Sequence, residues 1–274
     1  MPRTFVFWRR SAETYAHPRG GLFDADVGIS LDRSLALDYL HNVSKGVFPF
    51  IIAQFFHVVF ATNAMAVPPG PWDTVVLATV SQVRALLFQW YSNESRQGRV
   101  RTQVQQLVPS MFGSNLKPAF ELHASETNHF LAFLSTLLDR LAARMPNHQL
   151  WRQGLDALLV IHEMYGEHGF SNTSHPNIQR FCNAIVSHFR ACQQLGVPSK
   201  PKHHFLLEMG ARLRITGSLA LSATFPDEGL NKVIKQIGQS AHRMVWSLRV
   251  LEEFESSVTL QSFVRLAKKR PRII

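Results

Sequence analysis

The stretch KPKHHFLLEMGARLRITGSLALSATFPDEGLNKVIKQIGQSAHRMVWSLRVLEEF, from Lys200 to Phe254, decides how the fold of this chain is read. It opens on a basic, His-containing entry, Lys200–His204, and runs on as a helix. A β-prone piece, Ser218–Phe225, follows, and then a second helix opened by Pro226 with Asp227 and Glu228 in its first turn. Proline suits the first helical position because the N–H it lacks would be unsatisfied there anyway. Acidic residues in the first turn are favoured by the helix dipole. Glu228 therefore has two readings: helix-start chemistry, or a metal-binding carboxylate held at a helix start above a short strand. The KPKHH entry also has two. It is a solvated turn, or it is a set of cationic groups turned toward an anion, since basic side chains at a helix start oppose the dipole. His204 and Glu208 share a helix face, but two side chains do not make a metal site.

At 274 residues the chain is long enough for one large domain or two small ones with a sizeable core. Hydrophobic residues make up 46% and charged residues 18%, which excludes a disordered composition. The 29 Lys and Arg against 19 Asp and Glu leave a net charge of +10, which favours polyanionic partners without choosing among them. Two cysteines, Cys182 and Cys192, exclude a disulfide framework. With His188 they form C-x5-H-x3-C, whose members fall at roughly 0°, 240° and 280° around a helix at about 100° per residue. The three do not converge and a fourth ligand is missing, so buried helix cysteines are expected rather than a zinc site. The N-terminus, MPRTFVFWRR, has no secretory h-region or cleavage site. The most apolar run, Val47–Phe60, is interrupted by Pro49, Gln54 and His57 and reads as a buried helix, not a membrane span. A soluble intracellular protein is expected.

In chain order, Thr4–Trp8 reads as a strand and Pro18–Gly21 as a break. From Ser34 the pattern turns helical, with a kink or restart expected at Gly46–Pro49. Val67–Pro71 is a loop, and Trp72–Tyr91 carries an apolar stripe. Asn93–Gln106, with Arg96, Arg99 and Arg101, reads as a solvated loop or helix edge. Ser125 is expected to cap a helix running through Met145. His148–His168 and Asn177–Leu195 are two further amphipathic segments, and Ser257–Lys269 is a last helix ending in KKRPR, Lys268–Arg272. That tail is similar to a nuclear-import signal and gives a nuclear location, with the cytoplasm as the alternative. No repeat and no low-complexity tract is present.

Phosphate-loop, dinucleotide, hydrolase-elbow and zincin motifs are absent, so no nucleotide cofactor is expected. Asp38 and His41 lie three apart, on one helix face, where the imidazole reaches the carboxylate. Alone, the pair reads as a helix-entry Asp with a satisfied His.

Taken in order, DYLHNVSKGVFPFIIAQFF, KPAFELHASETNHFLAFLSTLL, and PKHHFLLEM with FPDEGLNKVIK resemble the C-terminal half of a DDE transposase of the RNase H-like superfamily. The similarity is to CACTA-type enzymes and related transposon-derived proteins, and it runs from about Leu35 to Phe254. It implies a mostly α fold, in which a helical bundle or insertion packs on a small RNase H-like α/β remnant, whole or incomplete. The divisions it implies are an N-terminal segment at 1–66, an all-helical insertion at 67–199 and a C-terminal region at 200–274. Glu228 would be the third catalytic, metal-binding acid. Asp32 would be the second, with Asp24 and Asp26 as alternatives, and Asp38 with His41 the supporting pair. Lys200, Lys202, His203, Lys232 and Lys235 would contact nucleic acid. Activity, if present, would need Mg²⁺ or Mn²⁺ for phosphodiester cleavage or strand transfer. The chain departs from the family in having only a few dozen residues before Asp38 and no visible site-specific DNA-binding domain. The expected function is that of a transposase-derived nucleic-acid-binding protein lacking full cut-and-paste activity. DNA is the expected partner and a membrane is not; a homo-oligomer is compatible with it. Two other readings stand beside it: a helical scaffold or interaction protein without metal, and a complete metal-dependent nuclease or strand transferase.

Overall fold

The computed structural model describes residues 37–99, 101–166 and 175–216. The chain divides into two compact units, Met1–Ser222 and Ala223–Ile274, and every described residue belongs to the first. The strands expected at Thr4–Trp8 and Ser218–Phe225 and the final helix lie outside the described residues. Among those described there is no strand, only an isolated antiparallel bridge between Gly113 and Pro118. The described residues are mostly helical, as expected.

Helix α1, Leu40–Ala61, is built from the most apolar part of the sequence. Its first eight residues, Leu40–Val47, are wound as a π-helix, and Phe48–Ala61 is α-helical. The change of winding falls beside Pro49, which has no N–H to give to the turn before it. The expected kink is thus absorbed as a change in helical pitch with no break in the helix. Among the described residues α1 is long and apolar enough to cross a membrane by length and composition, yet 61% of that window is buried inside the protein. It is wrapped by the other helices. Asn63, at a left-handed φ of 49°, closes its end: Ala64 N–H donates to the Val59 carbonyl and the Asn63 side chain brackets Val67. Asn tolerates that conformation better than other residues with a Cβ.

Helix α2, Trp72–Arg96, buries Val76, Val80, Val83, Leu87, Tyr91 and Glu94, a stripe spaced three and four apart. Glu94 at its end is almost fully buried and receives Arg99 Nε at 2.8 Å and Arg101 Nε at 2.9 Å. The stretch Asn93–Gln106, expected to be a solvated loop or helix edge, is mostly exposed. It is anchored at two points, where Tyr91 Oη accepts the Val104 N–H at 3.0 Å and His129 Nδ1 accepts the Thr102 N–H at 2.6 Å. A 3-10 turn, Pro109–Phe112, then turns Phe112 inward.

Helix α3, Ala124–Arg140, starts earlier than Ser125 would dictate and stops short of Met145. His123 precedes it, and the Glu126 carboxylate accepts the His123 backbone N–H at 3.0 Å. A carboxylate three residues into the helix reaches back to that N–H, which Ser125 cannot do from inside the first turn. Helix α4, His148–Gly166, and helix α5, His175–Gln194, share the most extensive helix–helix interface. They run antiparallel, since Gly154 meets His188 while Glu163 meets Arg180. Helix α6, Pro201–Thr216, returns along α5, with Gly210 against Cys182 and His203 against Phe189.

The core is an aromatic nucleus around Phe56, which is fully buried. Its ring lies 4.8 Å from Phe112, 5.4 Å from Phe55, 5.8 Å from Phe60 and 6.1 Å from Phe130, centroid to centroid. These rings come from α1, the 3-10 turn and α3, so Phe56 joins three segments far apart in sequence. Phe55 also packs edge-on against Trp151 of α4 at 5.5 Å. Aromatic pairs at such distances add to the stabilisation from area burial alone.

Phe56→Ala is expected to lower unfolding stability by about 3–5 kcal/mol, read as a fall in the urea midpoint at unchanged m-value. The Glu94 carboxyl is held below its ordinary value of 4.5, chiefly by the Arg99 hydrogen bond. A carboxyl depressed on folding contributes stability that is complete above 4.5 and disappears as pH falls through the folded value. Glu94→Gln should therefore lower the thermal midpoint at pH 7 and flatten its dependence on pH below 4.5.

Candidate nucleic-acid interface

Asp38 stands at the entry to α1. Its carboxylate accepts the backbone N–H of Leu40 at 3.0 Å and of His41 at 3.2 Å, and it also contacts the His41 Nδ1 itself. The three-residue spacing thus delivers the pair expected from it, at a helix start where a negative charge meets unpaired N–H groups and the dipole. His41 is half-exposed, while the Asp38 side chain is mostly covered. Both oxygens of Asp38 are committed to the helix start and to His41.

The KPKHH entry is brought onto this same turn from the far end of the chain. Lys202 Nζ donates to the His41 carbonyl at 2.9 Å and to the Lys45 carbonyl at 3.2 Å. In a regular α-helix the Lys45 carbonyl would face the N–H four residues on, where Pro49 has none. Here the turn is π-wound, and Lys202 donates to that carbonyl from α6. Gly46 makes room for it, for a Cβ there would run into the Lys202 Cδ and come within 3.0 Å of the His41 carbonyl. Lys200 Nζ lies 5.6 Å from the Phe50 ring centroid, a cation–π contact on the same side.

His203 takes a different place from the one expected beside a phosphate. It is buried, and its Nδ1 accepts the Lys200 backbone N–H at 3.1 Å. Pro201 opens α6 and His203, two residues later, reaches back to the residue before the helix, as a Glu or Gln does in a capping box. The sequence KPKHH is therefore first of all a helix start. Lys45, Lys200 and His204 are exposed around it, so the junction of α1 and α6 carries cationic groups on its outer rim. Lys45 was missed by reading the sequence, because nothing in its neighbourhood marks it until α6 is laid across the π-helical turn. Glu228, Asp32, Asp24, Asp26, Lys232 and Lys235 lie outside the described residues, as does the Lys268–Arg272 tail. Among the described residues no group of three or more His, Cys, Asp or Glu side chains could hold a metal ion.

The cysteines behave as expected from their angles. His188 and Cys192 share a face, with Sγ 3.4 Å from Nε2, while Cys182 points elsewhere, its Sγ 3.6 Å from the Gly210 carbonyl. Burial pushes the Cys192 thiol up to about 12, which leaves it unreactive at neutral pH.

Lys202→Met keeps most of the aliphatic stem and deletes both bonds to α1. It should cost about 1 kcal/mol and speed hydrogen exchange in the first turn of α6, whereas Lys200→Met should leave exchange there nearly unchanged. No protein-family model, no curated protein and no solved structure matches this chain.

Proposed function

We propose that this is a transposase-derived nucleic-acid-binding protein whose contact surface is the basic rim where α1 meets α6. The observation that carries the reading is the bond from Lys202 to the His41 carbonyl. It joins the Asp38–His41 pair and the KPKHH entry, two motifs that the transposase resemblance singles out and that stand 161 positions apart in sequence. A second support is the winding of that turn, since π-helical turns occur frequently at functional sites. A third is the net charge of +10. In this reading Lys45, Lys200 and His204 face phosphate, Lys202 braces the turn from behind, and Asp38 orients His41. An RNase H-like remnant, with Glu228 and Asp32 (or Asp24 or Asp26) as carboxylates for Mg²⁺ or Mn²⁺, belongs to the same proposal. When bound, such ions would stabilise the attacking and leaving oxygens of a phosphodiester. Binding, not turnover, is the activity proposed for the chain, in the nucleus.

The test is fluorescence anisotropy with labelled duplex DNA, titrated with salt at pH 7.5. Each phosphate neutralised should contribute about 0.9 to the slope of log K against log salt. Lys45→Ala and Lys200→Ala are expected each to reduce that slope by about one while leaving helicity intact. An absence of affinity at low salt would sink the reading.

One observation favours a helical interaction protein instead. Leu77 and Phe88 are 61% and 43% exposed, and eleven residues apart they fall on one face of α2. If DNA does not bind and Phe88→Ser abolishes a protein complex, that second reading replaces the first.

A further inference from the structure

His188 on α5 and His203 on α6 stack face to face inside the protein, with ring centroids 5.9 Å apart and planes within 9° of parallel. They are 0% and 2% exposed. Their partners fix where the protons sit. His203 Nδ1 accepts the Lys200 N–H, so its own proton is on Nε2, which is buried without a hydrogen-bond partner. His188 Nδ1 lies 3.2 Å from the Gly154 carbonyl, which only accepts, so Nδ1 carries the proton there. His188 Nε2 is then left to accept from the Cys192 thiol. Both rings are held neutral by these geometries.

The surroundings offer a second proton no counter-charge. At the start of α6 the neighbouring groups are Lys200, just before the helix, and His204. From α5 there is Cys192 and the edge of Phe189, 5.7 Å from His203. Helix α4 presents the Gly154 carbonyl. Helix α1 presents Phe50, 5.3 Å from His203, and backbone carbonyls already taken by Lys202. No carboxylate contacts either ring among the described residues.

We infer that the stacked pair His188–His203 is a proton-triggered latch on the α6 helix start. A proton arriving on His203 Nδ1 turns the acceptor of the Lys200 N–H into a donor and breaks that bond. It also places a cation between Lys200, His204 and the second ring. The cheapest relief is to let the first turn of α6 leave α1 and α5, which hydrates both imidazoles and uncovers Cys192. This inference is independent of the nucleic-acid reading.

Burial, together with the neighbouring ring (His204 for His203, His203 for His188), pushes both imidazoles down to about 4. Since the folded values lie below the ordinary 6.5, the stability they contribute is complete above 6.5 and is lost as pH falls toward 4. At pH 5.5 the open form should gain about tenfold per ring, about a hundredfold for both, relative to neutral pH.

The experiment is the rate at which Cys192 reacts with 4,4′-dithiodipyridine, in a Cys182→Ser background, between pH 7.5 and 5.5. The rate is normalised to a small thiol at each pH. It is expected to rise about 10- to 100-fold while far-UV helicity holds. His203→Gln keeps an acceptor for the Lys200 N–H but does not titrate, and its rise should drop to that of one ring. A flat wild-type profile, an equal rise in His203→Gln, or a rise that tracks loss of total helicity overturns the latch. Should His203→Gln fail to fold, ring ¹³C NMR of the wild-type chain decides. Rings that stay neutral at pH 5.5 in the closed form support the latch, and titration near 6.5 in an intact fold refutes it.

Discussion

Everything described in this protein hangs on the aromatic interior of α1. Phe55 and Phe56 are adjacent, about 100° apart around the helix, so one helix fills two packing sites at once: Trp151 on α4, and the cluster of Phe112, Phe120 and Phe130. Rings of this size bury much apolar area and prefer edge-on or offset contacts, which constrain the angles between the helices that carry them. The helices that arrive later in the chain have a finished surface to dock on. Their mutual contacts are then trimmed by polar staples. Arg152 of α4 reaches Ser135 and Asp139 of α3, and Arg180 of α5 reaches Glu163 of α4.

The α1 start shows how a backbone defect becomes a contact. Pro49 removes a donor, the turn before it is π-wound, and a lysine from α6 donates to the Lys45 carbonyl there. Polar groups that a regular helix would close on itself are thereby opened to a distant segment. The same lysine keeps α6 in place over a glycine that alone leaves space for it. The cationic rim follows from this arrangement and does not require a separate device.

Much of the helical layout was legible in the sequence. The apolar periodicity of α2, α4 and α5 survives inspection because one face of each is buried, and the wheel angles correctly set Cys182 apart from His188 and Cys192. Reading charge was less reliable than reading periodicity. Arg99 is indeed half exposed, but its pairing and that of Arg101 could not be read, because their partner Glu94 is hidden at the buried end of the same stripe. His203 was counted as a cation, whereas a neutral imidazole in the right place is a capping acceptor, and nothing in a one-letter code distinguishes the two. The Asp38–His41 pair was legible from spacing alone, since both members belong to one turn. Its meeting with Lys202 was not, because it depends on where α6 lands after five other elements have packed.

The π-helical turn has a consequence for how this chain tolerates change in length. A π segment accommodates one more residue than an α-helix would over the same axial rise, so Leu40–Val47 behaves as an insertion stored inside a continuous helix. Removing one residue from it would let the segment relax to α winding. Everything before the deletion would then swing by about 100° relative to the aromatic rows after it. The aromatic interior would be untouched, yet Asp38 and His41 would face away from α6. The extra residue thus sets the angular phase between the buried and the polar halves of one helix, and its cost to regular hydrogen bonding is confined to Leu40–Val47.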